Sequence, residues 1–279
     1  MSARLTSFRP WRRGPALLGC LILLLTLLAA IFASALYPEG PWPRVGDPYS
    51  PPFASLATPL GTDGLGRDVV AGLLYGARVS LTVGLVATFG AVLFGVIIGA
   101  VAGYARGWLD DCLMRFTEIF QTIPTFIFVI VLIVILQPSL VTMIGAIAIA
   151  SWPPVARLVR GEFLTLGQRE FVASCWLIGL SPARIIFTEI LPNCLHSIIV
   201  IGSVMVATAV LTEAGLAFLG LGDPNVMSWG AMVAAGRPVI RSAAYLSILP
   251  GLCILSVVMA INFVSEAFND SMNPQLRAK

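Results

Sequence analysis

The chain has 279 residues, 58% of them hydrophobic and only 11% charged, with a formal net charge of +3 and a mean hydropathy of +0.92. A soluble domain carries roughly a quarter charged residues, so this composition cannot cover a water-facing surface and excludes a soluble globular protein. Sixteen of the 17 basic residues are Arg and the only Lys is Lys279, which excludes a P-loop nucleotide site, because that loop needs a Lys behind its glycines to reach the phosphates.

A helix needs about 20 apolar residues to cross the hydrocarbon core. Six segments meet or approach that length: 16–36, 79–104, 113–136, 140–157, 197–219 and 246–267. The first invites two misreadings. Ala33-Ser34-Ala35 looks like a signal-peptidase site, but the apolar run before it is longer than a usual signal core. Leu17-Leu18-Gly19-Cys20 looks like a lipoprotein box, yet the apolar run follows it instead of preceding it. An uncleaved first helix is the expectation. In the second span Ala87, Ala91, Gly95, Gly99 and Gly103 recur every four residues, a stripe that lets another backbone approach closely. In the fourth, Pro153 and Pro154 are expected to interrupt the end of the helix.

Orientation follows from Arg and Lys in the flanks. Arg4, Arg9, Arg12 and Arg13 precede the first span and put the N-terminus inside. Six crossings then put 105–112, 158–196 and the C-terminus inside too, with twelve basic residues inside against five outside: Arg44, Arg67, Arg78, Arg237 and Arg241. The expected fold is an all-α polytopic membrane bundle of six transmembrane helices with both termini cytoplasmic. Its layout is a tail 1–15, a first helix 16–36, an external segment 37–78, a five-helix domain 79–267 and a tail 268–279.

Between the fourth and fifth spans, 162–193 carries charges, a glycine break and a proline. Gln168 to Ile178 has no helix breaker, and Gly179 suits the left-handed position after a helix. Ser181 is a fitting N-cap and Pro182 fits the first helical position, so a second short helix is expected to run to Ile190, with Pro192 stopping it before Asn193. Such a helix-turn-helix turns Phe171, Trp176 and Arg184 toward water or a partner. It reads equally as a docking element or as an amphipathic connector with Trp176 at the membrane interface.

The spacing from Gly179 to Ile190-Leu191-Pro192-Asn193 resembles the "EAA" loop of permeases in binding-protein-dependent ABC importers, although Ala173-Ser174-Cys175 stands where Glu-Ala-Ala is common. Gly61-Thr62-Asp63-Gly64-Leu65-Gly66-Arg67-Asp68 resembles a GTDxLGRD signature of one branch, the C-type subunit of dipeptide, oligopeptide and nickel importers. Ser151-Trp152-Pro153, Phe218-Leu219-Gly220-Leu221-Gly222, Ser228-Trp229-Gly230 and the tail Asn273-Pro274-Gln275-Leu276-Arg277 continue the resemblance in order. It implies a coupling loop that sits on an ATPase subunit through Glu170, Phe171, Ala173, Gly179, Ser181, Arg184 and Pro192. It also implies no catalytic residue and no cofactor or metal on this chain, with ATP and Mg used by two partner ATPase subunits. The other implied partners are a second, homologous permease in a heterodimer, a periplasmic or lipid-anchored solute-binding protein, and membrane lipid; nucleic acid is not among them. Short peptides are the first expected cargo, nickel or a metal chelate the second.

Asp63, Arg67 and Asp68 are expected to form local charge pairs within a turn. Glu213, the one acidic residue well inside an apolar run, faces either the translocation path or a hydrogen-bonding neighbour helix. The segment 220–242 either caps the pathway or forms an ordinary surface loop. Cys20, Cys112, Cys175, Cys194 and Cys253 are scattered and His196 is the only His, so neither a zinc site nor a disulfide framework is expected. A self-sufficient carrier would need no ATPase and would often hold several intramembrane charges, where this chain has one clear candidate.

Overall fold

The computed structural model describes residues 14–272, so the readings of Arg4, Arg9, Arg12, Arg13, Arg277, Lys279 and the Asn273–Arg277 tail lie outside the described residues. Eleven α-helices form among the described residues and no β-strand does. Four helical stretches are long and apolar enough to cross a bilayer, and counting each of two bent helix pairs as one span gives six. The chain divides into two compact units, 14–84 with 138–140 and 206–272, and 85–137 with 141–205.

In the first unit, α1 (Gly14–Leu36) is an uninterrupted apolar helix with two faces. Leu17, Leu21, Leu24, Leu28 and Ile31 stand exposed at helical spacing, an arrangement that only lipid satisfies, while Ala16, Gly19, Ala30 and Ala33 are buried. Gly19 is needed where α1 meets α11 (Tyr245–Met272): a Cβ there would sit 2.8 Å from the Ala260 carbonyl oxygen. The second helix, α2 (Val69–Ala105), starts ten residues before the predicted 79. Asp68 caps it by accepting from the Val70 N–H at 2.8 Å. Arg78 is accommodated inside it by donating to the Ala30 and Ile31 carbonyls and the Ser34 hydroxyl at the end of α1. The core of this unit gathers Val69, Val210, Trp229, Leu246 and Val257.

Residues 37–68 wind into an irregular layer closed by the fully buried Thr62. Its hydroxyl donates to the Asp47 carbonyl at 2.5 Å and accepts from the Ser50 N–H at 2.9 Å. The Tyr245 hydroxyl of α11 contacts the Thr62 and Ser50 carbonyls at 2.7 and 3.0 Å.

In the second unit the predicted span 113–136 is not one helix. Its residues fall in α3 (Gly107–Thr122) and α4 (Thr125–Leu136), which bend by 83° at Ile123-Pro124. A proline disfavours the helical conformation of the residue before it, and Ile123 is extended at φ −98°, ψ 129°. As expected, Pro153 and Pro154 interrupt the helix near the end of the predicted span 140–157, and they also begin the next one. α5 (Leu140–Ser151) and α6 (Pro153–Leu166) meet at a 40° bend, and the two prolines occupy the first turn of α6, where no N–H is required. Val155, Val159, Phe163, Val172, Ile185, Ile190 and Cys194 form the buried core of this unit.

Candidate functional site

The 162–193 segment builds from its turns outward. α7 (Glu170–Leu177) starts with Glu170 in its first turn, where the helix dipole favours an acid. It ends in a Schellman motif: the Leu180 N–H donates to the Cys175 carbonyl at 3.1 Å and the Gly179 N–H to that of Trp176 at 3.0 Å. Gly179 takes φ +75°, which suits glycine. Ser181 then caps α8 (Pro182–Arg184) by accepting from the Arg184 N–H at 3.4 Å, with Pro182 in the first turn.

The expected stop at Pro192 does not occur. A π-helical turn, Ile185–Ile190, leads directly into α9 (Leu191–Phe218), and Pro182–Phe218 forms one continuous span candidate. In an α-helix the Pro192 ring would clash with the carbonyl four residues back. Here the ladder has already widened, since the Leu191 N–H reaches the Ile186 carbonyl five residues back. The Asn193 side-chain amide donates to the Glu189 carbonyl at 2.6 Å.

The segment has two faces. Val172, Ile185 and Ile190 are buried beside Phe163, fixing its inner side. On the outer side Phe171, Trp176, Leu177, Ile178 and Phe187 are exposed, Leu177 at 88% and Ile178 at 74%. Ala173, Arg184 and Pro192 are exposed with them. These five apolar side chains stand exposed on a segment that also carries charged residues.

The helix beneath it is fixed by close packing. A Cβ at Gly95 would stand 2.6 Å from the Val155 Cβ, at Gly99 it would overlap the Ala156 carbonyl oxygen, and at Gly103 it would stand 2.6 Å from the Phe163 Cβ. Ala87 and Ala91 continue the stripe and are fully buried. The small residues of α2 thus let α6 approach until side chains meet backbone. Two polar links brace α6 further. Arg160 forms a bidentate pair with Asp110 of α3, Nε to Oδ1 at 2.5 Å and a terminal nitrogen to Oδ2 at 2.7 Å. The Ser197 hydroxyl of α9 donates to Glu162 at 2.6 Å. Neither Asp110 nor Ser197 stood out in the sequence; an acid in the buried position of an amphipathic helix was the available signal.

Glu213 lies in the first unit and is 1% exposed. The Ser80 hydroxyl of α2 donates to its carboxyl at 2.9 Å, and Ser228, the N-cap of α10 (Trp229–Gly236), hydrogen-bonds the same group. The geometry is a buried tie between three helices. The neighbouring motifs are packing devices. Gly220, at φ +80°, closes α9 with a second Schellman motif. The Trp229 indole N–H donates to the Leu73 carbonyl at 2.9 Å. Gly230 lets α10 reach Ala214, where a Cβ would stand 2.6 Å from the Ala214 Cα.

In the Gly61–Asp68 turn, Asp63 Oδ1 accepts from the Leu65 and Arg67 N–H groups at 2.8 and 2.9 Å, and Arg67 Nε donates to Oδ2 at 2.7 Å. Asp68 forms no ion pair among the described residues; it caps α2, and its carboxylate together with burial pushes the Tyr37 phenol up to about 12, burial being the larger cause. Beside this turn lies a cavity of about 370 Å³ bordered by Trp42, Tyr49, Asp63, Asp223, Met227 and Met232. Asp223 also accepts the Asn225 and Leu140 N–H groups at 2.9 and 3.0 Å, which hold its carboxyl below the usual range against a smaller opposing effect of burial.

Residues 95–278 match the family described as binding-protein-dependent transport system inner membrane component. The chain is 36% identical to the dipeptide transport system permease protein of Alkalihalophilus pseudofirmus, covering 98% of this chain and 92% of that one. It is 35% identical to the di/tripeptide transport system permease protein of Pseudomonas aeruginosa, over 94% and 88%. It is also 35% identical to the oligopeptide transport system permease protein of Bacillus subtilis, over 94% and 86%. Among solved structures, the MetNI methionine ABC transporter in an inward-facing conformation superposes with a TM-score of 0.61 at 18% identity, over 72% of this chain and 96% of that chain. That likeness shows a shared permease fold. The chain is thus a multi-pass inner-membrane permease and belongs to the family of binding-protein-dependent transport system inner membrane components.

Proposed function

We propose that this permease carries short peptides inward as one half of a heterodimeric pathway, driven by ATP hydrolysed on two separate ATPase subunits and supplied by an external solute-binding protein. Both termini and the 162–193 segment face the cytoplasm in this reading, and the 37–68 layer faces outward. The observation that carries it is the exposed apolar patch of Phe171, Trp176, Leu177, Ile178 and Phe187 around the Gly179 turn. Water does not reward such a patch, and an ATPase groove would. The buried inner side ties the patch to α6 and α9, so a displacement of the docked segment is passed to the helices that cross the membrane. The peptide cargo is supported by the three relatives above, each of which is a peptide permease by name.

The test is peptide uptake and ATP hydrolysis in proteoliposomes holding the full complex and its binding protein. Arg184→Glu places an acid on the docked surface, and Gly179→Val forces a branched side chain into a left-handed turn. Each is expected to lower peptide uptake per ATP hydrolysed while hydrolysis continues. Normal uptake by both variants would remove the docking assignment, and uptake of nickel but not of dipeptides would remove the cargo.

A further inference from the structure

Exposed helix faces in the second unit differ in kind. On α4, Ile127, Val131, Val134 and Ile135 stand exposed at helical spacing, all large and apolar, as lipid requires. On α6 the face opposite the α2 contact carries Pro154, Arg157, Gly161 and Thr165, all exposed, flanked by the half-buried Leu158 and Glu162. From Arg157 to Thr165 this face borders one shallow cavity of about 370 Å³. A Cβ at Gly161 would meet nothing within 4 Å, so the middle of the face is open. A small, polar and charged face gains nothing from acyl chains.

The face also reaches the membrane. Helices α5 and α6 together count as one bent span, and Arg157 stands ~26 Å along it from Leu140, close to the inner edge of a hydrocarbon core ~30 Å thick. A charge at that depth faces water or a partner group in preference to lipid. Arg157 forms no hydrogen bond or ion pair among the described residues. Glu162 has one oxygen held by the Ser197 hydroxyl at 2.6 Å, which leaves the second to a ligand. Five residues of helix set the two charges about 140° apart around the axis and ~7.5 Å apart along it, with Gly161 between them. The face thus presents a cation and an anion on either side of an open centre. A short peptide carries the matching pair, an ammonium at one end and a carboxylate at the other.

We infer that this face of α6 lines the cytoplasmic end of the translocation path, where Arg157 meets the carboxylate of the passing peptide and Glu162 its ammonium group. The inference rests on the peptide-permease reading above. Both charges are solvated when the path is empty, so each contact is weak, as release into the cytoplasm demands.

The full complex carrying Gly161→Cys, in nanodiscs without ATP or binding protein, is treated with a positively charged methanethiosulfonate, and labelling at position 161 is followed by mass spectrometry. The new thiol is expected to react, and dialanine to slow the reaction. Dialanine amide, which lacks the carboxylate, should need up to about fivefold more for the same protection, the worth of one exposed ion pair. Adding Arg157→Gln should erase that difference, and Arg157→Lys should keep it. Thr165→Cys repeats the measurement should Gly161→Cys fail to assemble. A thiol that reacts at neither position, or a complex that assembles with neither variant, overturns the inference, because lipid or the second permease would cover the face. A reactive thiol that dialanine leaves unprotected overturns it too, since the face would be ordinary cytoplasmic surface, and so does equal protection by the two peptides. Dialanine uptake by the wild-type complex in proteoliposomes separates the two readings. Uptake alongside an unprotected thiol overturns this inference alone, whereas no uptake removes the peptide cargo on which it rests.

Discussion

One substitution, Gly→Ala, should change sign between two facing helices. Gly161 lies inside α6, and an added Cβ there meets nothing within 4 Å. Only backbone propensity acts, and Gly161→Ala should stabilise by about 0.5–1 kcal/mol. Gly99 lies inside α2 against that same α6, where a Cβ would overlap the Ala156 carbonyl oxygen and stand 2.9 Å from the Val159 Cβ. A helix carbonyl cannot rotate aside as a side chain does, so the two helices must part. Overpacking of this kind costs roughly 1–3 kcal/mol. After the propensity gain, Gly99→Ala should destabilise by about 1–2 kcal/mol. A second change at Gly103 should cost less than the first, because the helices have already separated. The assay is unfolding of the purified chain by SDS in mixed micelles, followed by far-ultraviolet circular dichroism. A Gly99→Ala chain that gains stability as Gly161→Ala does would refute the close approach of α2 and α6.

Glu213→Leu should destabilise the chain by about 2–4 kcal/mol in the same assay, since it strands the Ser80 and Ser228 hydroxyls; intact stability with altered cargo preference would instead make Glu213 a pathway group. Asp110→Ala should cost about 1–2 kcal/mol, the one-third exposure of Arg160 limiting the loss, and the exchanged pair Asp110→Arg with Arg160→Asp should recover part of it. Asp223 has a folded pKa below its ordinary 3.8, so its stabilisation is complete above about pH 4 and fades as the pH falls through the folded value. Hydrogen exchange of residues 221–228 should rise below that pH in the wild-type chain, and in Asp223→Asn it should be fast at both pH values; an acid response that persists in the variant would assign the effect to another group.

Local chemistry was legible in the sequence, and distant partners were not. The turn at Gly179 and the cap at Ser181 follow from single residue types in fixed positions, and the structure has both. The small-residue stripe announced a close approach without naming α6. Pro153 and Pro154 were read correctly as an interruption, and Pro192 wrongly as a stop. Pro153 and Pro154 open a helix because the first turn needs no donors, and Pro192 passes through one because the turn before it had already widened. A proline's consequence depends on the hydrogen-bond register that reaches it, which composition does not reveal. The break at Ile123-Pro124 follows the ordinary rule too, and the long apolar run of α4 beyond it concealed it. The Ser80–Glu213 and Asp110–Arg160 pairings join residues far apart in the chain, so no spacing rule could find them.

The fit of Gly19 against Ala260 bears on how the protein is made. These two positions are some 240 residues apart, and ribosomes add about 5–20 residues per second. Helix α1 must therefore wait roughly 10–50 s in the bilayer before its neighbour exists. Its leucine face is content in lipid during that interval, but its groove of small residues is open to any other passing helix. Biogenesis thus has a late closing step, and a nascent chain stalled before α11 would leave its oldest segment unattached.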